Sequence, residues 1–233
     1  MNFRDQGIII SKTPLKENYS IVTVFTANHG IYSATLRQYS KKNGDVLAVG
    51  NLVDFFWQAR LHEHLGSAKA ELIKPYNGLL ISDKTKLYAF NSVVCILKSA
   101  FCEREPHNNL FPSLLEYLEQ MKKSFSFSNY FRLELDILSE TGYRLQLEKC
   151  AVTGKSDDLF YVSPKSGIAV SKNSGLAYAD KLLILPDFND LNSLTNIDFA
   201  LKLTGYFLDR YIFNHNDQSS ARQIFAKHIT TVT

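Results

Sequence analysis

Cys150-Ala151-Val152-Thr153-Gly154 and Ser171-Lys172-Asn173-Ser174 are the two stretches of this sequence that decide its fold. Each places two side chains bearing sulfur or oxygen three positions apart, which is the spacing of a zinc knuckle. Cysteines at all four positions would form a zinc ribbon, because tetrahedral zinc takes two thiolates from each of two short turns. Here Thr153, Ser171 and Ser174 are hydroxyls. The sequence therefore predicts a module that resembles a zinc ribbon but holds no metal.

The composition of the 233-residue chain is that of an ordinary globular protein, with 45% hydrophobic and 21% charged residues. No apolar run approaches the roughly 18 residues that a membrane helix needs. The stretch Met1–Gly7 is polar and lacks the apolar core of a signal peptide. Three cysteines form no paired framework, so we expect reduced thiols. These features predict a cytoplasmic protein with no membrane partner.

The small net charge of +3 is unevenly distributed. Residues 1–80 carry nine Lys and Arg against six Asp and Glu, whereas residues 81–233 carry seventeen of each sign. A basic bias confined to one third of a chain suits a polyanionic partner, although a solvated lysine-rich surface would give the same count.

Short strands dominate residues 1–80. Five stretches are rich in β-branched and aromatic residues, or are bounded by turn residues, at spacings typical of a small barrel. They are Gly7–Ser11, Tyr19–Thr26, Ile31–Tyr39, Leu52–Arg60 and Ser67–Pro75. Five strands with a basic bias predict an OB-fold DNA-binding domain over 1–80.

The hydrophobic period changes to helical spacing after Asp83, which we expect to be an N-cap. Further helices are predicted from about 109 to 123, from Ser128 to a stop at Gly142, and over about 196–213 and 219–229. The turn-rich segment 148–180 is the degenerate zinc-ribbon-like insert. The predicted fold class is therefore α+β, with a helical domain over 81–233 that contains this insert.

No catalytic constellation is present in the sequence. Gly44 and Gly50 lack the remainder of a phosphate-binding loop, and no carboxylate cluster has metal-ligand spacing. His62 and His64 lack further ligands at suitable spacing, and Cys150 has no neighbouring base. We therefore expect a binding protein that is not an enzyme and has neither cofactor nor metal.

Cations and aromatic residues alternate around the ends of the predicted strands. Arg37, Lys41 and Lys42 lie at a strand end and in the following loop, with Tyr32 and Tyr39 nearby. Further basic residues on the fourth and fifth strands are Arg60, His62, His64, Lys69 and Lys74. Phosphates need cations and bases need flat rings, so this pattern is typical of a single-strand binding groove.

The aromatic residues of the fourth strand favour a different role. Phe55 and Trp57 share one face of the strand, while Phe56 takes the other. We expect Phe55 and Trp57 to lie in the barrel core and not on a binding surface.

Several separate stretches of the chain resemble the bacterial RecO family of recombination mediators. The resemblance extends from Gly7 to about Arg222. The stretches that carry it are Val24-Phe25-Thr26 with Gly30, Trp57–Gly66, Glu103–His107, Tyr130–Leu135, Leu147–Gly154 and Tyr161–Gly167. Many RecO proteins hold zinc with four cysteines. This chain keeps only Cys150, so the insert must be held by packing, for instance through Leu159, Tyr161 and Val170.

The resemblance implies a non-enzymatic protein that is monomeric alone and associates with the nucleoid when it acts. Such proteins bind single- and double-stranded DNA, anneal complementary strands, and displace single-strand-binding protein so that the recombinase RecA can load. Their protein partners are RecR and the acidic C-terminal tail of single-strand-binding protein. The alternative is an OB-plus-helix adaptor that binds proteins and contacts DNA incidentally.

Two sets of contact residues follow from the resemblance and the charge pattern. The DNA contacts that we predict are Arg37, Lys41, Lys42 and Arg60, with Lys12 and Lys16 behind them. Arg132 is predicted to pair with the tail carboxylate, and Phe131 or a neighbour to wall a pocket for its terminal ring. The spacing of Arg132 also allows an ordinary surface pair with Asp136.

Overall fold

A computed structural model describes residues 1–37, 45–61, 64–213 and 220–232, without the side chains of Lys16 and Val232. The strands are β1 (Asn2–Lys16), β2 (Tyr19–Thr26), β3 (Gly30–Arg37), β4 (Leu52–Gln58), β5 (Ser67–Lys74), β6 (Leu159–Val162), β7 (Ala169–Ser171) and β8 (Leu183–Ile184). The helices are α1 (Tyr76–Ile81), α2 (Lys84–Ala100), α3 (Leu110–Met121), α4 (Phe127–Glu140), α5 (Lys172–Gly175), α6 (Leu194–Tyr211) and α7 (Ser220–Val232). The predicted α+β class is confirmed.

The first five strands form a closed barrel in the order β1-β2-β3-β5-β4. Most neighbours are antiparallel, but β3 and β5 close the barrel in parallel through Thr35 and Leu36. Strand β1 is longer than predicted because it serves two partners. Its Asn2–Ile8 segment pairs with β4, and its Gly7–Lys16 segment pairs with β2.

The barrel interior follows the alternation of β4. Phe55 and Trp57 are 0% and 1% exposed, while Phe56 lies on the outer face, as predicted. The Trp57 indole N–H donates to the carbonyl of Leu65 at 3.2 Å, so its one polar atom is satisfied inside the core. Other core residues are Ile9, Val22, Val24, Tyr32, Ala34, Leu36, Leu47 and Val53.

The turn between β2 and β3 requires glycine at position 30. Gly30 has a φ of +78°, and a Cβ there would lie 1.9 Å from the carbonyl oxygen of Glu105. The backbone N–H of Arg104 donates to the carbonyl of Ile31 at 2.8 Å beside it. This turn therefore packs backbone to backbone against the segment after α2.

By packing, the chain divides into two compact units. The first comprises Met1–Phe90 and Phe101–Lys123, and the second comprises Asn91–Ala100 and Ser124–Thr233. Helix α3 thus packs with the barrel, where the ring of Phe111 lies 6.1 Å from that of Phe25. The grouping reflects compactness only, so a functional division at residue 80 stays a prediction.

Helix boundaries follow local capping chemistry in part. The side chain of Asp83 accepts from the backbone N–H of Thr85 at 2.8 Å and of Lys86 at 3.2 Å, which confirms it as the cap of α2. The prediction that Ser128 caps the next helix is wrong. Helix α4 begins at Phe127 after an extended Ser126, because Phe127 is drawn into the core at 4% exposure.

Glu119 on α3 ties the end of the barrel to the helices of the first unit. Its carboxylate accepts hydrogen bonds from Lys122, Lys74 and Tyr76, and these lower its pKa to about 2. Such a lowered pKa means that the charged form stabilises the folded state.

Glu119→Gln is expected to lower the free energy of unfolding at pH 7. Because folding lowers the pKa of Glu119, its charge stabilises the fold fully above the ordinary carboxyl range, and this stabilisation is lost as pH falls toward 2. The difference in free energy of unfolding between the wild type and Glu119→Gln should therefore narrow from pH 5 to pH 2. Urea unfolding at a series of pH values measures it. Glu116→Gln, which changes an exposed carboxylate on the same helix, is the control. A difference in free energy of unfolding that widens in acid would contradict the stabilising role of the charged Glu119.

In the second unit, a buried charge network joins α4, α6 and α7. Glu134 is 0% exposed and accepts from Nε and Nη2 of Arg222 at 2.7 and 3.1 Å. It also accepts from the hydroxyls of Thr204 and Tyr130, and the Tyr130 hydroxyl lies 2.8 Å from that of Ser92. Burial and the Glu134 carboxylate raise the pKa of Tyr130, so this hydroxyl remains a donor.

The segment after α4 contains a small three-stranded sheet in the order β7-β6-β8. Cys150, Tyr161 and Val170 form its buried cluster, with Leu159 and Leu182 packed against them. The predicted packing through Leu159, Tyr161 and Val170 is confirmed. A Cβ at Gly175 would lie 2.4 Å from the ring of Tyr161, so glycine is also required at that contact.

Candidate nucleic-acid interface

One end of the barrel brings two of the predicted cations into a single cross-strand row. Tyr19 pairs with Lys16 across β1 and β2, and with Arg37 across β2 and β3. Arg37 is exposed, and Tyr19 keeps 43% of its surface accessible. An exposed ring between two basic positions is a suitable surface for a base and its flanking phosphates.

Arg60 lies beside the start of β1, because the neighbouring Ala59 donates its backbone N–H to the carbonyl of Met1 at 3.0 Å. The start of β5 joins the ends of two other strands, because Ser67 pairs with Thr35 of β3 and with Gln58 of β4. Arg37 and Arg60 each lie two residues beyond these pairs but in opposite directions, because β3 runs parallel to β5 and β4 runs antiparallel to it. Arg60 is exposed, and within the described part of the chain no hydrogen bond or ion pair holds it. We call Lys16, Tyr19 and Arg37 the barrel rim.

The remaining predicted DNA contacts differ in status. Lys12 lies four residues before Lys16 on β1. It forms an ion pair with Asp45, which offsets its charge. Lys41 and Lys42 lie outside the described residues. The structure therefore brings the positions of Lys16 and Arg37 together on either side of Tyr19, and it places Arg60 and Lys12 elsewhere on the barrel.

The aromatic members of the interface differ from those expected. Tyr32 is only 5% exposed and packs edge-on against Trp57 at 5.1 Å, so the prediction that it interleaves with surface cations is wrong. Tyr39 lies outside the described residues. Tyr19 takes this role in the row, and sequence reasoning missed it. Its position next to the β1–β2 turn, opposite a strand-terminal arginine, was the available signal.

A shallow depression on the outer face of β1, β4 and β5 is less suited to an anion. It has a volume of about 170 Å³ and is lined by Arg4, Asp54, Phe56, Lys69 and Glu71. Asp54 holds Arg4 through a two-pronged ion pair, and Glu71 adds a second negative charge. Its cations are therefore offset by equal numbers of carboxylates.

The two predicted tail contacts lie on α4 with opposite exposure. Arg132 is exposed, and no described residue, Asp136 included, pairs with it. Phe131 is 1% exposed, and its ring lies 5.8 Å from that of Phe188, which is 46% exposed. The surface ring at this place is thus Phe188, which sequence reasoning did not single out.

The side chains of Cys150, Thr153, Ser171 and Ser174 lie close together. The sulfur of Cys150 accepts from the backbone N–H of Ser171 at 3.2 Å and lies 3.6 Å from its hydroxyl, which donates to Ser174 at 2.9 Å. Burial raises the pKa of the Cys150 thiol, but hydrogen bonds from Thr153 and Ser171 outweigh it and lower the pKa to about 6. One thiol and three hydroxyls do not fit a structural zinc ion.

Within residues 1–37, 45–61, 64–213 and 220–232, no three His, Cys, Asp or Glu side chains are placed to share a metal ion. None of the helices there has the length and apolar character needed to span a membrane.

Comparison with known proteins accounts for nearly the whole chain. Residues 1–76 match the family described as Recombination protein O N terminal. Residues 81–220 match the family described as Recombination protein O C terminal. The chain belongs to the RecO family. The predicted family resemblance is confirmed.

RecO proteins of three Rickettsia species illustrate the relationship, and each carries the name DNA repair protein RecO. The protein of Rickettsia felis is 53% identical over 233 residues, covering 98% of both chains. That of Rickettsia rickettsii is 51% identical over 232 residues, again covering 98% of both. That of Rickettsia bellii is 51% identical over 233 residues, covering 98% of this chain and 97% of its own.

Proposed function

We propose that this protein acts in DNA repair as a recombination mediator. It binds single- and double-stranded DNA, anneals complementary strands, and acts with RecR to load RecA onto strands covered by single-strand-binding protein. The observation that carries the proposal is the family match over residues 1–76 and 81–220, in a chain whose barrel carries the exposed Arg37 beside Tyr19. No covalent chemistry is needed, and the protein is not an enzyme.

The barrel supports this proposal because its topology suits an OB-type module. Five strands close in the order β1-β2-β3-β5-β4, and five-stranded barrels of this type bind nucleic acid through the face of their second and third strands. We assign the segment 148–180 to a zinc-ribbon-like insert held by packing around Cys150.

Annealing follows from electrostatics on this surface. Two strands repel each other through their phosphates, and cations on one surface neutralise part of that charge while releasing counterions. Exposed rings such as Tyr19 hold bases by stacking, which leaves their pairing edges available.

Replacing Arg37, Lys41 and Lys42 together by Glu is expected to remove most DNA binding and to leave the fold intact. Loss of three phosphate contacts should reduce the slope of log affinity against log salt by about 2 for single strands. Fluorescence anisotropy with a labelled oligonucleotide at several salt concentrations measures both quantities, and a strand-annealing assay follows the consequence.

The matched control reverses three exposed lysines of the second unit, Lys155, Lys181 and Lys227, with the same change in net charge. Affinity lost equally in both variants would indicate bulk charge and not a site. Wild-type binding that is insensitive to salt would refute the electrostatic account. Absence of DNA binding by the wild type would favour the protein adaptor.

The tail contact forms a separate part of the proposal. Arg132 pairs with the terminal carboxylate of the single-strand-binding protein tail, and the Phe131–Phe188 pair supplies an apolar wall. Its exposed guanidinium has no partner among the described residues, so pairing costs no existing ion pair.

A further inference from the structure

Three aromatic rings in the second unit stack from the core to the surface. Phe207 is 2% exposed, Tyr211 is half-buried, and Tyr143 is 39% exposed. The planes of Phe207 and Tyr211 differ by 15° with centroids 6.3 Å apart, and those of Tyr211 and Tyr143 differ by 13° at 3.8 Å. The outermost ring is therefore nearly parallel to the rings beneath it.

One face of Tyr143 is covered by Tyr211. Among the described residues, no second ring and no cation lies against Tyr143. A flat, partly exposed ring that ends a stack can accept one more flat ring, because offset stacking of parallel rings is favourable.

Three exposed cations border this stack. Arg144 follows Tyr143 directly, and Arg210 lies over the Tyr211 ring at 5.4 Å. Arg210 also donates to the carbonyl of Pro164 at 3.4 Å, which places Lys165 next to it.

Backbone contacts hold the stack in place before any ligand arrives. Gly142, with a φ of +88°, ends α4, and the N–H of Tyr143 donates to the carbonyl of Leu138 at 2.8 Å. The chain then pairs with the insert, where the N–H of Gln146 donates to the carbonyl of Gly167 at 2.9 Å. A preformed ring loses little entropy when it binds.

The geometry points to Tyr143 as a stacking platform for a base of single-stranded nucleic acid, with Arg144, Lys165 and Arg210 contacting its phosphates. This second surface rests on the proposed function in that single-stranded DNA is a ligand. It adds a contact site in the C-terminal unit, apart from the barrel rim. Two sites on one protein allow two strands, or two parts of one strand, to be held together.

Charge and shape favour nucleic acid over an acidic peptide at this surface. The stack presents a flat parallel ring, which matches a base plane, and the three cations are spread along α6, the insert and the end of α4. A peptide side chain would instead need a concave apolar pocket to bury it.

The test compares variants of the full chain in titrations of a single-stranded oligonucleotide at several salt concentrations. Tyr143→Ala is expected to weaken binding by roughly 5-fold or more, the effect of losing one stacked base, without changing the salt slope. Tyr143→Phe should retain the affinity. Arg144→Gln should reduce the slope by about 0.7, because it removes one phosphate contact.

Tyr178→Ala is the matched control, since Tyr178 is a 60% exposed tyrosine of the same unit with no ring partner among the described residues. It should leave the affinity unchanged. As an independent readout, an oligonucleotide containing 5-iodouracil should photocross-link to the tryptic peptide 133–144, in which Tyr143 is the only aromatic residue.

Three outcomes would overturn the inference. With wild-type DNA binding intact, unchanged affinity of Tyr143→Ala together with no cross-link to peptide 133–144 would refute this surface alone. If Tyr143→Ala loses binding to an acidic peptide while its DNA affinity is unchanged, this surface is a peptide-binding surface. No DNA binding by the wild type at any salt concentration would refute the proposed function and this surface together.

Discussion

Replacing Thr153, Ser171 and Ser174 by cysteine is expected to give this protein a tetrahedral zinc site. The sulfur of Cys150 already lies 3.6 Å from the hydroxyl of Ser171, which lies 2.9 Å from that of Ser174. Zinc–sulfur bonds of about 2.3 Å place tetrahedral sulfurs roughly 3.8 Å apart. These two separations therefore need to open by less than 1 Å.

The expected effect on stability is large. At free zinc 1,000-fold above the dissociation constant, binding only to the folded state adds about 4 kcal/mol to the free energy of unfolding. Structural zinc sites in peptides bind with apparent free energies of about 10–16 kcal/mol, so such an excess is reached at low zinc concentration. The triple variant should therefore melt at a higher temperature with zinc than with chelator.

Cobalt substitution measures the site directly, because four thiolates around Co²⁺ give characteristic visible absorption. The control carries the same three cysteines with Cys150→Ser, which removes one ligand and should bind far more weakly. The wild type should melt at the same temperature with and without chelator. If the triple variant binds no stoichiometric metal, the four positions do not share one tetrahedral centre.

Arg222→Met is expected to destabilise the second unit by about 3–5 kcal/mol, the usual cost of leaving a buried charge without its partner. Glu134 has no exposed surface and would keep only the hydroxyl donors from Thr204 and Tyr130. Burial would lower the pKa of Arg222, but the Glu134 carboxylate outweighs it and raises the pKa. Arg222 therefore keeps its positive charge beside Glu134.

Urea unfolding of the single and double variants measures this coupling. Glu134→Gln combined with Arg222→Met should cost less than the sum of the two changes, because neither charge is then left unpaired. Lys202→Met is the matched control, since it breaks an exposed pair with Asp198 and should cost less than about 1 kcal/mol. A loss below 1 kcal/mol for Arg222→Met would show that water reaches Glu134.

Local patterns in the sequence predict much of the barrel. Alternation along β4 correctly separates Phe55 and Trp57 from Phe56, and turn residues set most strand ends to within a few positions. Helix α1 was missed because six residues are too few to show helical periodicity. The length of β1 was underestimated because its ends are fixed by pairing with β4 and β2, which lie elsewhere in the sequence.

The sites were less predictable because they depend on contacts between distant residues. Side-chain spacing indicated the convergence of Cys150 with Ser171, since the knuckle pattern encodes that geometry. Nothing in the sequence shows that Tyr143 stacks on Tyr211. Likewise, charge counts assigned Arg37 to a surface but could not distinguish buried Tyr32 from exposed Tyr19.

The contact between α6 and Arg222 restricts how this protein can change over evolutionary time. A Cβ at Gly205 would lie 2.9 Å from Nη1 of Arg222, so even alanine would require the guanidinium that binds Glu134 to shift. A larger residue at 205 becomes acceptable only when a shorter side chain replaces Arg222, and the charge of Glu134 must then be removed as well. In an alignment of related chains, these three positions should therefore covary as a group.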